Sequence, residues 1–184
     1  MRVVAGALRG RRLQAPPGVG TRPTSDRVRE ATFNALGSLD AVADADVLDL
    51  FAGSGALGIE ALSRGAARAT FVERDRAALA VLRSNLDACG LGSDRATVVP
   101  GDGPELLRTG RLDGPWHLAL LDPPYDFDGW EPLLASLDAE LAVCESGRPV
   151  EPAGAWLVVR EKAYGGTVVS VMRREGGDRQ GEKK

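Results

Sequence analysis

Asp46-Val-Leu-Asp-Leu-Phe-Ala-Gly-Ser-Gly-Ala-Leu-Gly58 divides into three pieces with different physical demands. Val47, Leu48, Leu50 and Phe51 make a short, almost continuous apolar run, as a parallel strand covered on both faces requires. Gly53-Ser-Gly55 breaks it. A helical stretch follows, with Leu57, Ala61 and Leu62 on one side and Gly65 placed to stop it. Strand, glycine turn and helix together bring backbone N–H groups and a helix N-terminus close to a ligand.

Residues 53–58 fit G-x-G-x-x-G, a weak signal alone, since an ordinary tight turn also fits. About twenty residues on, Ala69-Thr-Phe-Val-Glu73 reads as a second strand ending in an acid. An acid there can hold the two hydroxyls of an adenosine ribose. Nicotinamide dinucleotide and S-adenosylmethionine (SAM) both remain open, and Asp49 favours SAM. A carboxylate just before the turn repels a pyrophosphate but suits a ligand carrying an ammonium and a sulfonium.

Outward from this stretch, strands and helices alternate. Asp75 can cap a helix whose Leu79, Leu82 and Leu86 recur at helical spacing, and Gly90 closes it. Ala96–Pro100 is a third strand, running into Gly101-Asp102-Gly103-Pro104, where Pro104 suits a first helical turn. Asp102 can accept a hydrogen bond from an adenine amino group or simply cap that helix. Leu118–Leu121 is the fourth strand, 130–137 a helix and 141–145 the fifth strand. Ala155–Glu161 and Thr167–Met172 face each other across Tyr164-Gly-Gly166 as a hairpin at the sheet edge. Near the start, residues 2–13 read as a small β-hairpin around Gly6 to Gly10 and 16–20 as a linker. Residues after Pro23 form a helix with Val28, Ala31, Ala35 and Leu39 on its packing face. The expectation is an α/β, Rossmann-like fold with a seven-stranded, mostly parallel sheet, an antiparallel C-terminal hairpin and an N-terminal β-hairpin. Residues 1–20 are expected to form a basic hairpin and linker, 21–174 the main domain and 175–184 a disordered tail. Asp49, Gly53, Glu73, Asp102 and Asp122 then all fall at strand carboxyl ends, where ligands of such sheets gather.

Composition narrows the class. The chain has 184 residues, enough for one domain with its own core. It shows no signal peptide and no apolar run long enough to span a bilayer, so a cytoplasmic, membrane-free monomer is expected. Cys89 and Cys144 lack metal or redox spacing and read as reduced structural thiols. His117, the single histidine, reads as a strand-entry residue, and no metal site is expected. The net charge is −3, yet residues 1–30 carry arginines at 2, 9, 11, 12, 22, 27 and 29 against Asp26 and Glu30. That balance of +5 leaves −8 for the rest. A basic arm on an acidic body points to an anionic partner met at one end, with Arg9, Arg11, Arg12 and Arg22 as bidentate phosphate donors. Compositional bias is the competing explanation, because the chain holds 20 arginines and 3 lysines.

Asp122-Pro-Pro-Tyr125 is the chemically discriminating stretch. Consecutive prolines stiffen the backbone and leave the carbonyl before each without a competing local N–H. A rigid carbonyl and a carboxylate can together accept both hydrogens of a planar exocyclic amine, aiming its lone pair at an electrophilic methyl. Tyr125 can stack on the base, a contact worth about 1–3 kcal/mol, and alignment offers roughly 7–11 kcal/mol in favourable cases. No strong base is needed, since the nitrogen loses its proton after methylation. A duplex base cannot present its amine here, so the acceptor is unpaired or flipped.

With these segments in view the sequence resembles the bacterial 16S ribosomal RNA guanine-N2 methyltransferase family (RsmD type). The matching pieces are Arg2–Gly6, Arg9–Leu13, Arg22–Glu30 with Phe33-Asn34, Asp49–Gly58 with Glu60–Ala66, Asp122–Tyr125 and Arg160–Gly166. The resemblance implies SAM as methyl donor, S-adenosylhomocysteine as product, and a guanine N2 of 16S rRNA in the small subunit or its precursor as acceptor. By position, Thr24, Asp49, Phe51, Ala52, Gly53, Ser54, Gly55, Gly58, Glu73, Arg74, Asp102, Gly103 and Asp122 would bind the cofactor. Asp122, Pro123, Pro124 and Tyr125 would hold the guanine. The segment between 137 and 141 is shorter than is usual in the family. Two other readings compete: methylation of another planar amine (adenine N6 in DNA or a glutamine amide), and a non-catalytic RNA-binding assembly factor. A DNA enzyme would need a recognition domain for which the chain has no room. Relatives acting on glutamine mostly carry Asn where Asp122 stands.

Overall fold

The computed structural model describes residues 1–16, 23–112 and 114–176. Strand β1 (Asp46–Asp49) lies inside a seven-stranded sheet ordered β3-β2-β1-β4-β5-β7-β6. Its parallel neighbours are β2 (Arg68–Glu73) and β4 (Trp116–Leu121), and β3 (Ala96–Pro100) and β5 (Ala139–Ser146) extend the parallel part on either side. The hairpin of β6 (Trp156–Tyr164) and β7 (Thr167–Arg174) completes the sheet, with β7 antiparallel to β5 and β6 outermost. The Rossmann-like α/β expectation is borne out.

Among the described residues α1 (Pro23–Gly37) precedes β1, and α2 (Ala56–Ser63), α3 (Arg76–Cys89), α4 (Gly103–Arg108) and α5 (Trp130–Ser136) link the successive strands from β1 to β5. β4 shows why its sequence reads as an unbroken apolar run. Leu118 and Leu120 enter a core with Phe33, Leu36, Ile59, Leu62 and Leu82. Ala119 and Leu121 enter a second core with Leu106, Leu107, Trp130 and Leu134. Alternate side chains thus feed two apolar layers, α1 to α3 on one face and α4 with α5 on the other. Asp75 caps α3 by accepting from the Ala78 N–H at 2.8 Å, and Gly90 ends it in the left-handed region. Asp102 caps α4, with Pro104 in the first turn.

Several expectations are corrected. β1 ends at Asp49 instead of Phe51, because the chain bends early into the glycine turn, although the Leu50 N–H still donates to the Leu120 carbonyl at 3.1 Å. The packing face of α1 is Val28, Arg29, Thr32, Phe33 and Leu36, while Ala31, Ala35 and Leu39 are only half-buried. A buried Arg29 turns the helix this way. It pairs with Asp26 at 2.9 Å and lies 3.6 Å from Glu60. Helix α2 is not one-sided: Gly58 through Ser63 are all buried, Glu60 and Ser63 included.

The amino-terminal arm explains that burial. Its hairpin is a single antiparallel bridge, Arg2 with Arg12, supported by Val3 N–H to Arg11 carbonyl at 2.9 Å and Leu13 N–H to Met1 carbonyl at 3.0 Å. The arm lies over α2 as a third layer. Glu60 accepts from the Val4 and Ala5 N–H groups at 2.8 and 3.0 Å and from Arg64 Nε at 2.7 Å. The Ala7 N–H donates to the Ser63 carbonyl at 2.7 Å. Val3 and Leu13 join the core beneath. Residues 17–22 and 177–184, which include most of the linker expected at 16–20 and most of the tail expected at 175–184, lie outside the described residues.

Candidate active site

β1 and β4 are parallel neighbours with Asp49 level with Leu120. The glycine bend after one and the proline corner after the other therefore leave the same end of the sheet side by side. A ring contact ties them: Phe51 meets Phe127 edge-on at 5.5 Å, and Phe127 meets Trp130 at 5.3 Å.

On the bend side Asp49 is 1% exposed, and its Oδ2 accepts from the Gly58 N–H at 2.9 Å. Burial pushes its carboxyl up to about 7; the Gly58 bond opposes this and the nearby Glu73 charge adds to it. A carboxylate so short of positive charge fits the ammonium of SAM and not a pyrophosphate. Gly58 must be bare, because a Cβ would stand 2.3 Å from the Phe71 ring and push α2 off the sheet. Gly55 begins α2 with φ 80°, and Ala52 and Ser54 are buried beside it. Glu73, at the end of β2, accepts from the Gly53 N–H at 2.8 Å through Oε2 and from the Arg74 and Asp75 N–H groups through Oε1. It thus reaches across to the bend it was expected to share a ligand with. Asp102 lies beyond, paired with Arg74 at 3.0 Å and accepting from the Glu105 N–H at 3.2 Å. Gly103 opens α4. The Thr24 backbone starts α1, while its side chain and Arg22 lie outside the described residues.

On the corner side Pro123 is buried, while Asp122, Pro124 and Tyr125 are exposed. The Phe127 N–H closes the turn on the Pro124 carbonyl at 2.9 Å. Tyr125 is 48% exposed, and its hydroxyl shares a 2.8 Å hydrogen bond with Thr167 Oγ1 at the start of β7. Thr167 was not legible in the sequence, since it sits 42 positions from its partner. Asn85 was missed for the same reason. Its Nδ2 donates to the Ser54 carbonyl at 2.8 Å and the Gln14 carbonyl at 3.1 Å, and its Oδ1 accepts from the Gln14 N–H at 2.8 Å. The arm's exit is clamped to the glycine bend. Arg9, Arg11 and Arg12 are exposed on that arm. A recess of about 340 Å³ lined by Asp44, His117, Glu140 and Arg173 opens at the opposite end of the strands and contains none of the expected site residues. His117 there is the strand-entry residue expected, accepting from the Asp46 N–H at 3.1 Å. Cys89 and Cys144 are buried free thiols. No described helix is long and apolar enough to cross a membrane.

The family described as Conserved hypothetical protein 95 matches residues 1–173. The Ribosomal RNA small subunit methyltransferase D of Escherichia coli (strain K12) is 39% identical over 187 residues, covering 95% of this chain and 90% of that protein. The chain belongs to the small subunit methyltransferase D (RsmD) family. The Haemophilus influenzae protein of the same description is 34% identical, with 90% of this chain and 89% of that one covered. Among solved structures, yhhF of Escherichia coli superposes with TM-score 0.79 at 38% identity over 95% of this chain and 98% of that one. The structure of SMU.776 complexed with SAH, 14% identical with TM-score 0.62, covers 84% of this chain and 50% of that one and shares the fold alone. The chain is thus a methyltransferase of Rossmann-like fold, and SAM is the cofactor that RsmD membership carries.

Proposed function

We propose that this protein transfers a methyl group from SAM to the exocyclic N2 of a guanine in 16S rRNA, within the small ribosomal subunit or its precursor. The observation that carries the reading is the adjacency of two corners: the bend after Asp49 and Asp122-Pro-Pro-Tyr125 leave neighbouring parallel strands at one end. The rRNA acceptor is supported by the curated relatives, which are small-subunit rRNA methyltransferases by name.

When bound, SAM supplies an electrophilic methyl on a sulfonium. Asp49 offers a buried carboxylate to the ammonium, and Glu73 offers one to the ribose hydroxyls. The Asp122 carboxylate and the carbonyl of Pro123 accept the two hydrogens of the guanine amine, hold its plane and stabilise the positive charge that develops on nitrogen. Tyr125 takes the face of the base. The proton passes from the nitrogen to the Asp122 carboxylate or to water only after the new bond to carbon has formed, so the corner orients the amine and need not deprotonate it first. Arg9, Arg11, Arg12 and Arg22 contact RNA phosphates.

The direct test uses tritiated SAM and small subunits from cells lacking this methylation, with mass spectrometry of the nucleosides afterwards. N2-methylguanosine in 16S rRNA is the expected product. Label in adenine, in protein or nowhere would overturn the assignment. Asp122→Ala should abolish transfer while leaving RNA binding; full activity in that variant would instead favour a non-catalytic corner.

A further inference from the structure

β6 is the outermost strand, and every residue from Leu157 to Ala163 is exposed. Its register with β7 assigns each side chain to a face. Arg160 stands opposite Val171, Lys162 opposite Val169 and Tyr164 opposite Thr167. Val169 and Val171 belong to the core under α1, α2 and α3, so Arg160, Lys162 and Tyr164 share that side of the sheet. Glu161 takes the other side, where it accepts from Ser170 Oγ at 3.0 Å. Two cations and a ring therefore succeed one another at alternate positions, about 6.5–7 Å apart. The Lys162 ammonium lies 5.3 Å from the centre of the Tyr164 ring. At the far end of the row Arg160 Nη1 donates to Ser38 Oγ at 3.4 Å, just beyond α1. One carboxylate on this side, Glu145 of β5, stands level with Lys162 but two strands inward, across Val169.

The row has a direction. β6 runs parallel to β5 through their shared antiparallel neighbour β7, so it leads to the carboxyl end of the sheet. Tyr164 there pairs with Thr167, whose hydroxyl is bonded to that of Tyr125. The cations therefore end on Tyr164, which is linked to Tyr125 through Thr167.

We propose that this face of β6 is a track for single-stranded RNA: Arg160 and Lys162 hold phosphates of the strand that bears the target guanine, and Tyr164 guides a base of that strand toward Tyr125. The proposal rests on the guanine-methylating function above and adds a contact surface separate from the amino-terminal arm. Cations in line, an aromatic at the inner end and no carboxylate within the row match a phosphate chain with exposed base faces.

The test compares the wild-type chain, R160A/K162A and R108A in methyl transfer from tritiated SAM to small subunits lacking the modification, at several salt concentrations. Arg108 is an exposed arginine on α4, on the opposite side of the sheet, and controls for loss of charge alone. In the double variant KM for subunits should rise on the order of tenfold and lose about 1 to 2 from its log–log salt slope. Its kcat and SAM affinity should stay within about twofold of wild type, R108A should match wild type, and K162R should retain most of the affinity. A double variant indistinguishable from R108A overturns the track, as does an equal loss of SAM affinity, which would mark the pair as structural. Wild-type protein that methylates no guanine in rRNA overturns the function beneath the proposal, and that outcome is read without any variant.

Discussion

At the residue scale, Asp49 gives the sharpest expectations. Its folded carboxyl is raised from 3.8 to about 7 by burial, so between those values the folded state holds a proton the unfolded chain has released. Stability without cofactor should therefore fall as pH rises through this window and level off above about 7. A bound ammonium needs the ionised form, so SAM affinity should climb up to about pH 7 and then flatten. Isothermal titration from pH 5.5 to 8.5 measures it. Asp49→Asn should bind more weakly by about 1.5–3 kcal/mol and with no such pH dependence; a variant that keeps the wild-type profile would exclude Asp49 as its source. Thr167 reaches the corner through the Tyr125 hydroxyl, so it is expected to act as a positioning residue. Thr167→Val keeps the volume and removes the bond to Tyr125, which should lower kcat roughly threefold to tenfold, equivalent to about 0.5–1.5 kcal/mol. SAM affinity should be unmoved, and Thr167→Ser should restore the rate. A Thr167→Val variant with wild-type kcat would show that this bond does not position Tyr125.

At the scale of elements, the arm and α2 behave as one unit. Glu60 is 0% exposed and accepts from two arm N–H groups and from Arg64, with Arg29 beside it. A buried carboxyl group needs such a set of partners in place of water. Two glycines of the arm differ in a way that can be measured. Gly6, at φ 81°, would place a Cβ 1.8 Å from the Ser63 carbonyl oxygen, whereas Gly10, at φ 85°, has nothing within 4 Å. Gly10→Ala should cost only the conformational penalty, about 1–2 kcal/mol. Gly6→Ala must also move backbone against backbone and should cost clearly more in urea denaturation, with the arm opened to protease. Equal costs would mean that the arm does not dock as described.

At the scale of the whole molecule, an arginine-bearing layer is clamped through Asn85 to the glycine bend, while Arg9, Arg11 and Arg12 face outward. Arm N–H groups bond Glu60 and Ser63 while the three guanidiniums stay exposed, so the proposed phosphate contacts would use atoms that do not dock the arm. Replacing the three arginines by alanine should weaken subunit binding and flatten its salt dependence with SAM affinity level. A matching fall in SAM affinity would show that these side chains hold the layer in place.

Much of this architecture was legible before any coordinates. The β3 segment 96–100 keeps its expected bounds, and Asp75 and Gly90 cap α3 where they were expected to, because backbone preference, side-chain period and capping are local properties. The same locality placed Asp49, Glu73, Asp102 and Asp122 at strand ends. No local pattern shows that Glu60 is buried, because the layer that covers it lies some 55 residues earlier in sequence. Nor does any local pattern pair Thr167 with Tyr125 or Asn85 with Ser54. The sequence alone determined the alternating sheet and the end of it where ligands gather, through preferences that act over a few residues. Only tertiary structure decided which buried polar groups meet, because each such bond closes a long loop and depends on how whole layers pack.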